Sequence, residues 1–346
     1  MKGLLPLSWR YRLHRWRYRR EAALPDGPRA FIFVAADYGN LGDVAITLAQ
    51  RDFLRSALPD HHVVPVMIGD TLKDLDSIAA QMRKGDVATL IGGGNMGTRY
   101  PDIELLRRAV IDTLHQWPLI CFPQSIDLGE DADSESLARF LEPYWKHPRL
   151  VLSLRERLSF EKVARLWPHR ERLIHVPDIV LGWPCGEAGG RRSNAVVSWR
   201  GDSERTTPDA LRQSIQDVLR SKFGAVTERD TETHRQHDGL IEAENALREL
   251  LDLYRGARIV ATDRLHGLIL AYRCGTPVLA LDNVNRKISA SVDDWLEGTD
   301  RVALLDEGES IDERIEALMD GKARTLLMHT DPIYDPLRKA LEAGAS

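Results

Sequence analysis

The chain has 346 residues, 43% of them hydrophobic and 29% charged, which excludes a collagen-like or wholly disordered protein. At roughly 100–200 residues per domain this length predicts two compact units, and no apolar run approaches the roughly 18 residues that span a bilayer as a helix. The net charge of −5 hides an asymmetry: residues 1–20 hold seven basic side chains and no acid, leaving 40 basic against 52 acidic residues, or −12, in the remainder. A body so acidic is a poor general ligand for nucleic acid.

Short apolar runs alternate with amphipathic helical stretches, the pattern of a parallel sheet covered by helices. Residues 30–35 read as a strand, 38–43 as a turn and 44–57 as a helix; a strand at 63–68, a helix near 72–84 and a strand at 87–91 follow. The glycines of 92–97 read as a loop. A helix over 102–116, a strand at 119–122 that stops before Pro123, a strand at 150–153 and a helix from Ser159 complete the first array. The alternation lapses between 177 and 192, where Trp183-Pro184 and three glycines break regular structure. It resumes with strands at 195–199, 224–227, 258–262 and 277–281, helices at 207–222, 240–254 and 268–274, and a polar loop at 228–239; the stretch from 311 onward reads as helical.

The expected fold is therefore α/β, with two Rossmann-like domains facing a cleft. The chain divides into a basic N-terminal segment (1–28), an N-terminal Rossmann-like domain (29–184), a C-terminal Rossmann-like donor-binding domain (185–310) and a C-terminal helical segment (311–346). Cys121, Cys185 and Cys274 are few, odd in number and lack metal-ligand spacing, which predicts buried thiols in a reducing, cytoplasmic setting. The start of the chain lacks the long apolar core of a secretory signal. Trp9, Tyr11, Trp16 and Tyr18 interleave with arginines, a composition that suits peripheral contact of residues 1–20 with anionic headgroups, and equally suits docking on the acidic body.

In open parallel sheets, ligands bind beyond the carboxyl ends of the strands, where helix N-termini offer free N–H groups. Polar residues just after predicted strands are therefore the candidates. Gly92 to Gly97 fits G-x-G-x-x-G, but Pro101 delays the next helix and no acid for a ribose ends the following strand, so a generic glycine loop is preferred over a dinucleotide site. No P-loop is present. His234 and His237, and likewise His61 and His62, lack a third ligand, so they read as surface histidines; no metal is called for.

The sharpest constellation is Thr262-Asp263-Arg264-Leu265-His266-Gly267, between a strand and a short helix. Arg264 can fork onto phosphate or carboxylate oxygens, and His266 can shuttle a proton near neutral pH. Arg155 and Lys287 are further cations at strand ends, each equally readable as a paired or solvated side chain; Arg200 and Asp178 share that placement. Asn95, Gln124 and Ser125 can hydrogen-bond hydroxyls.

The ordered set Tyr38-Gly39-Asn40-Leu41-Gly42-Asp43, Gly92-Gly93-Gly94-Asn95, Phe122-Pro123-Gln124-Ser125, Arg155-Glu156 with Ser159, Pro177-Asp178, Arg264 to Gly267 and Lys287 resembles the polysaccharide pyruvyl transferase family over about residues 30–290. The resemblance implies a GT-B-like two-domain fold. It further implies transfer of pyruvate from phosphoenolpyruvate onto two hydroxyls of a sugar or glycan, forming a cyclic ketal without metal or organic cofactor. It makes His266 and Arg264 catalytic, and places Arg155, Leu265, Gly267, Asn40, Asp43, Gly93, Gly94, Asn95, Gln124, Ser125, Asp178, Arg200 and Lys287 in the substrate site. Where relatives often carry an acid after the glycine segment, this chain has Gly97-Thr98, so no catalytic carboxylate is assigned there. The residues alone leave two other readings open: a nucleotide-sugar glycosyltransferase with Arg264 on the diphosphate and Asp282 near the ribose, and a non-catalytic anion-binding relative.

Overall fold

A computed structural model describes residues 15, 17–129, 132–186, 190–202, 204–284, 286–321 and 326–346. Its strands are β1 (Arg29–Ala35), β2 (Tyr38–Asn40), β3 (His62–Met67), β4 (Val87–Leu90), β5 (Gly93–Gly97), β6 (Leu119–Asp127), β7 (Leu150–Leu154), β8 (Leu173–His175), β9 (Ala195–Ser198), β10 (Val226–Glu228), β11 (Glu232–Gln236), β12 (Ile259–Thr262), β13 (Val278–Ala280) and β14 (Val302–Leu304). The helices are α1 (Leu41–Ala57), α2 (Thr71–Gln81), α3 (Pro101–Thr113), α4 (Ser134–Lys146), α5 (Arg157–Ala164), α6 (Asp209–Phe223), α7 (Leu240–Gly256), α8 (Leu265–Arg273), α9 (Lys287–Ser291), α10 (Ile311–Asp320) and α11 (Asp335–Ala345).

The first compact unit comprises residues up to Ala36, Ile46–Ile179 and Pro332–Ser346. Its sheet runs β3-β1-β4-β6-β7-β8, with β5 added on β6, and the strands are parallel. Every residue of β1 is buried, as expected of a strand covered on both faces. The C-terminal helix α11 belongs here because Leu337, Leu341 and the preceding Tyr334 are fully buried, with the Tyr334 ring 5.9 Å from that of Phe53.

The second unit comprises Asp37–Ala45 and Val180–Asp331. Its parallel sheet runs β10-β9-β12-β13-β14. One face packs Ala195, Val197, Ile259, Ala261 and Leu279 against Ile215 and Leu219 of α6 and Ile315 and Leu318 of α10. Residues 37–45 join this unit because β2 pairs antiparallel with β11, Glu232 against Asn40 and Gln236 against Tyr38. Two close contacts make that pairing specific: Leu41 N–H donates to Thr231 O at 2.8 Å, and the Thr233 hydroxyl donates to Gly39 O at 3.1 Å.

The strand and helix alternation read from sequence is present, with local corrections. The expected glycine loop contains β5, whose Gly97 has φ +147° and would drive a Cβ into the Asp127 backbone, so only glycine lets the strand lie there. Strand β6 does not stop at Pro123 but continues to Asp127, because the register on β7 slips between Cys121 and Gln124 and absorbs the proline. The expected polar loop at 228–239 holds β11, and the expected turn at 38–43 is β2 followed by the first turn of α1. A further strand, β14, follows the one expected to be last.

The three cysteines are free and buried, and burial pushes their thiols up to about 12 at Cys121, 11 at Cys185 and 12 at Cys274. Most of the basic segment, residues 1–14 and 16, lies outside the described residues, so the expected headgroup contact falls largely there. Its end lies along α2: Arg15 pairs with Asp76, Arg20 with Asp70 at 3.0 Å and with Asp74, and the Ala22 N–H donates to Ser77. Among the described residues no helix is long and apolar enough to cross a membrane.

Candidate functional site

In the second unit, the candidates emerge from the carboxyl ends of β9, β10, β12 and β13. Arg264 follows β12 and immediately precedes α8. Its Nε and Nη2 donate to the two carboxylate oxygens of Asp230 at 2.9 and 2.7 Å, and Nη1 donates to Asp202 at 2.7 Å. Burial works against the guanidinium's charge, but the two aspartates outweigh it and raise its pKa. Asp202 is shared: it also pairs with Arg200 Nε at 3.0 Å, and Arg200 Nη1 pairs with Glu204 at 2.9 Å. Burial alone pushes the Asp202 carboxyl up, yet Arg200 and Arg264 hold it below its usual range.

The neighbouring Asp263 does not pair with Arg264. It is 1% exposed and accepts from the Arg200 backbone N–H at 2.8 Å and from Arg212 at 2.6 Å, locking the β9 and β12 ends together. The Arg264 N–H donates to the Thr262 hydroxyl at 3.0 Å, and a Cβ on Gly267 would strike that same oxygen, so the tight turn demands glycine. Leu265 is 7% exposed and contributes packing.

His266 is half-buried on the first turn of α8. A Cβ placed on Gly42 would lie 2.8 Å from the His266 Cβ, Cγ and Nδ1, so the imidazole rests directly on the first turn of α1. Asn40 caps that helix, its Oδ1 accepting from the Gly42 N–H at 3.0 Å and the Asp43 N–H at 3.4 Å; Asp43 accepts from the Tyr38 hydroxyl at 2.7 Å. Asn40, Gly42 and Asp43 are thus joined to His266 through the grafted strand. Lys287 opens α9, 9% exposed, its backbone N–H on Asn283 Oδ1 at 3.4 Å. Asp282 is occupied by its own turn, accepting from the backbone N–H groups of Asn283 at 2.9 Å and Ser289 at 3.4 Å.

In the first unit, Arg155 is 2% exposed at the end of β7. Its Nε donates to Ser125 at 2.7 Å and Glu156 at 2.9 Å, and its Nη1 to Asp178 at 2.6 Å. Burial opposes its charge, but Glu156 and Asp178 outweigh that and raise its pKa. Ser159 completes the cluster, donating to Glu156 at 3.2 Å. Of the two readings open from sequence, a free cation or a partner of Glu156, Arg155 takes the paired one, with Asp178 as a second partner.

Arg107 of α3, 1% exposed, was not legible as a site residue. It donates to the backbone O of Asn95 at 2.9 Å, to Asn95 Oδ1 and to Gln124 Oε1 at 3.4 Å. The Gln124 amide nitrogen donates to Ile91 O, so both ends of that side chain serve the fold. For Asn95 the bond from Arg107 to Oδ1 turns the amide NH2 to the other side, where it can donate to a hydroxyl. Gly93 and Gly94, in β5, carry the backbone to this point. Glu104 holds Arg107 at 3.6 Å and accepts from the Tyr144 hydroxyl at 2.9 Å; burial raises its pKa.

Sequence reasoning also missed Asp202 and Asp230. A signal was available, since each follows a strand's carboxyl end, the same rule that selected Arg200 and Arg264. For Arg107 the signal was a charged residue on the buried stripe of Leu106, Val110 and Ile111. Among the described residues no group of three His, Cys, Asp or Glu is arranged to hold a metal ion.

General stress protein 30 of Bacillus subtilis (strain 168) is 26% identical over 321 residues, covering 92% of either chain. Pyruvyl transferase 1 of Schizosaccharomyces pombe is 25% identical over 304 residues, covering 82% of this chain and 74% of that one. A crystal structure of an uncharacterised Klebsiella pneumoniae protein aligns with a TM-score of 0.55 at 19% identity, covering 88% of this chain and 100% of the other, and shares the α/β fold. The family model described as polysaccharide pyruvyl transferase matches residues 40–285, from the Asn40 cap through the Arg264–Gly267 turn. The chain belongs to the polysaccharide pyruvyl transferase family.

Proposed function

We propose that the protein moves pyruvate from phosphoenolpyruvate onto two hydroxyls of one sugar in a polysaccharide or its lipid-linked or nucleotide-linked precursor, forming a cyclic ketal and releasing phosphate. The observation that carries this reading is Arg264, clamped at three nitrogens by Asp230 and Asp202, with His266 two residues on, seated against Gly42. A guanidinium has five N–H donors, so a clamp on three leaves two for the donor's oxygens. Asp230 costs Arg264 some charge but fixes its plane before ligand arrives, which favours a bidentate anion contact.

His266 serves as acid and base. A proton delivered to the enol CH2 carbon makes the adjacent carbon oxocarbenium-like; one sugar hydroxyl attacks there and loses its proton. Departure of phosphate reopens that carbon, and the second hydroxyl closes the ring. Of the two protons that leave the hydroxyls, one replaces the proton delivered to the new methyl group and the other departs with the phosphate as hydrogen phosphate, so the count closes. Lys287 adds positive charge at the carboxyl end of the same sheet, and Arg200, paired with Asp202 and Glu204, steadies the Asp202 that clamps Arg264. In the first unit the Asn95 amide serves a hydroxyl, and Arg155 positions Ser125 and Asp178. A GT-B-like organisation of the chain and reaction on the cytoplasmic side, at a membrane face, belong to the same proposal.

The test is phosphate release from phosphoenolpyruvate with candidate glycan acceptors, and detection of the ketal methyl by NMR. Arg264→Ala and His266→Ala should each lower turnover by about a hundredfold or more. Wild-type turnover in the double variant, or calorimetric binding of nucleotide sugars in place of phosphoenolpyruvate, would overturn the assignment. The occupied carboxylate of Asp282 speaks against a ribose contact there.

A further inference from the structure

The first unit carries a groove of about 650 Å³ at the opposite end of its strands from Asn95, Arg155 and Asp178. The groove is bordered by the starts of β6, β7 and β8 and by α11. Its floor is one sheet face: Ile120 pairs with Val151 in register, and Ser153, two residues on, pairs with Ile174, which places Ile120, Val151 and Ile174 on the same side. Helix α11 lies over β4 and β6 on this side, where a Cβ on Gly344 would come within 3.4 Å of Ile120. Val151 and Ile174 remain half-buried, although Leu150 and Leu152 beside them are fully buried.

The rim is basic. Arg149 and Lys339 are exposed and have no ion-pair partner among the described residues. Arg172 is held in place by donating to His147 O at 2.7 Å and Pro148 O at 3.0 Å. One acid, Glu171, stands 3.8 Å from Arg172. Three cations against one carboxylate suit a doubly charged anion, while the apolar floor and the Ala340 and Ala343 wall suit a hydrocarbon chain.

We propose that this groove binds a soluble single-chain phosphate monoester, its dianionic head between Arg149, Arg172 and Lys339 and its chain along Ile120, Val151 and Ile174. The site is separate from the proposed donor site and does not depend on that reading.

Calorimetric titration of the full chain with octyl phosphate below its micellar concentration tests it, beside inorganic phosphate and octyl glucoside. Octyl phosphate should bind with a dissociation constant below about 1 mM, and each control at least about tenfold more weakly, since head and chain each contribute. Arg149→Glu combined with Lys339→Glu, both exposed positions, should weaken binding at least about tenfold. Ala340→Trp, which fills the groove from α11, should do the same with an unchanged thermal melt. Saturating phosphoenolpyruvate should leave the affinity unaltered.

Equal binding of octyl glucoside or of inorganic phosphate would overturn the proposal, as would competition by phosphoenolpyruvate or insensitivity to both variants. Loss of self-association in the charge-reversed chain, with octyl phosphate affinity intact, would also overturn it and make the groove a contact between copies.

Discussion

Gly42→Ala isolates the seating of His266. Gly42 does not have a positive φ, so alanine is compatible with the backbone, and its N–H can keep the bond to Asn40. The obstacle is the new methyl, 2.8 Å from three atoms of His266, where carbon contacts sit at roughly 3.5–4.0 Å. Because the His266 Cβ is one of those atoms, no rotamer change relieves the contact, and the imidazole must retreat by roughly 1 Å with the first turn of α8. Alanine in a helix gains about 0.5–1 kcal/mol over glycine, while forcing a methyl into a packed contact costs about 1–3 kcal/mol. The two partly offset, leaving a net loss between zero and about 2.5 kcal/mol. A displacement of about 1 Å in a proton-transferring group lowers turnover on the order of a hundredfold. The expected signature is thus a large fall in kcat with a small shift in melting temperature. The assay pairs phosphate release at saturating donor and acceptor with a thermal melt of the same sample. Turnover above half the wild-type value, with the melt unmoved, would refute the idea that Gly42 sets the position of a working His266.

Asp230→Asn should weaken the clamp on Arg264 and raise KM for phosphoenolpyruvate by about tenfold, since the orienting ion pair is lost while the guanidinium stays; unchanged KM and kcat would show that Arg264 needs no such support. Arg107→Met should cost about 3–5 kcal/mol by urea unfolding, because it leaves Glu104 buried beside Tyr144 with one fewer cation, and an unaltered midpoint would deny the pair any role. His147 provides a pH test. Burial, with the Arg149 N–H donating to Nδ1 at 3.2 Å, holds it neutral and lowers its pKa to about 4, outweighing the Leu114 carbonyl on Nε2 at 3.2 Å, which favours the charged ring. Unfolded, it titrates near 6.5. The folded pKa is the lower one, so the stability it confers is complete above about pH 6.5 and drains away as pH falls toward 4, by up to about 3 kcal/mol. His147→Gln should flatten the acid limb of the stability profile over that window, and an identical limb in both proteins would contradict it.

Much of the fold was legible because its signals are local. Alternating apolar runs and amphipathic stretches placed the long central strands of both sheets and most of the long helices, though not β2, β5, β8, β11, β14 or α4, and the strand-end rule pointed to Arg264, His266, Arg155 and Arg200. The glycine segment was misread because a loop and an irregular strand use the same residues; what makes β5 a strand is the Asp127 backbone running alongside it. For Arg155 the adjacent Glu156 made pairing one of two even readings, but nothing local to it reveals its second partner, Asp178, which lies 23 residues later and accepts its Nη1.

The sequence by itself determined the α/β class, the order of elements, the family, and a turn at Arg264–Gly267 fit to hold an anion beside an imidazole. Only the tertiary structure decided that residues 37–45 leave the unit that follows them in the chain and bring Gly42 under His266, through a β2–β11 pairing that includes a bond between residues 194 apart. It also decided that Asp230 and Asp202 clamp Arg264, and that Arg107 orients Asn95 and Gln124. The reason is the range of the forces involved. Periodicity and turn chemistry act over a few residues and leave a mark on the sequence, whereas the choice of a hydrogen-bond or ion-pair partner for a buried group is made by whichever side chain the completed packing brings within about 3 Å.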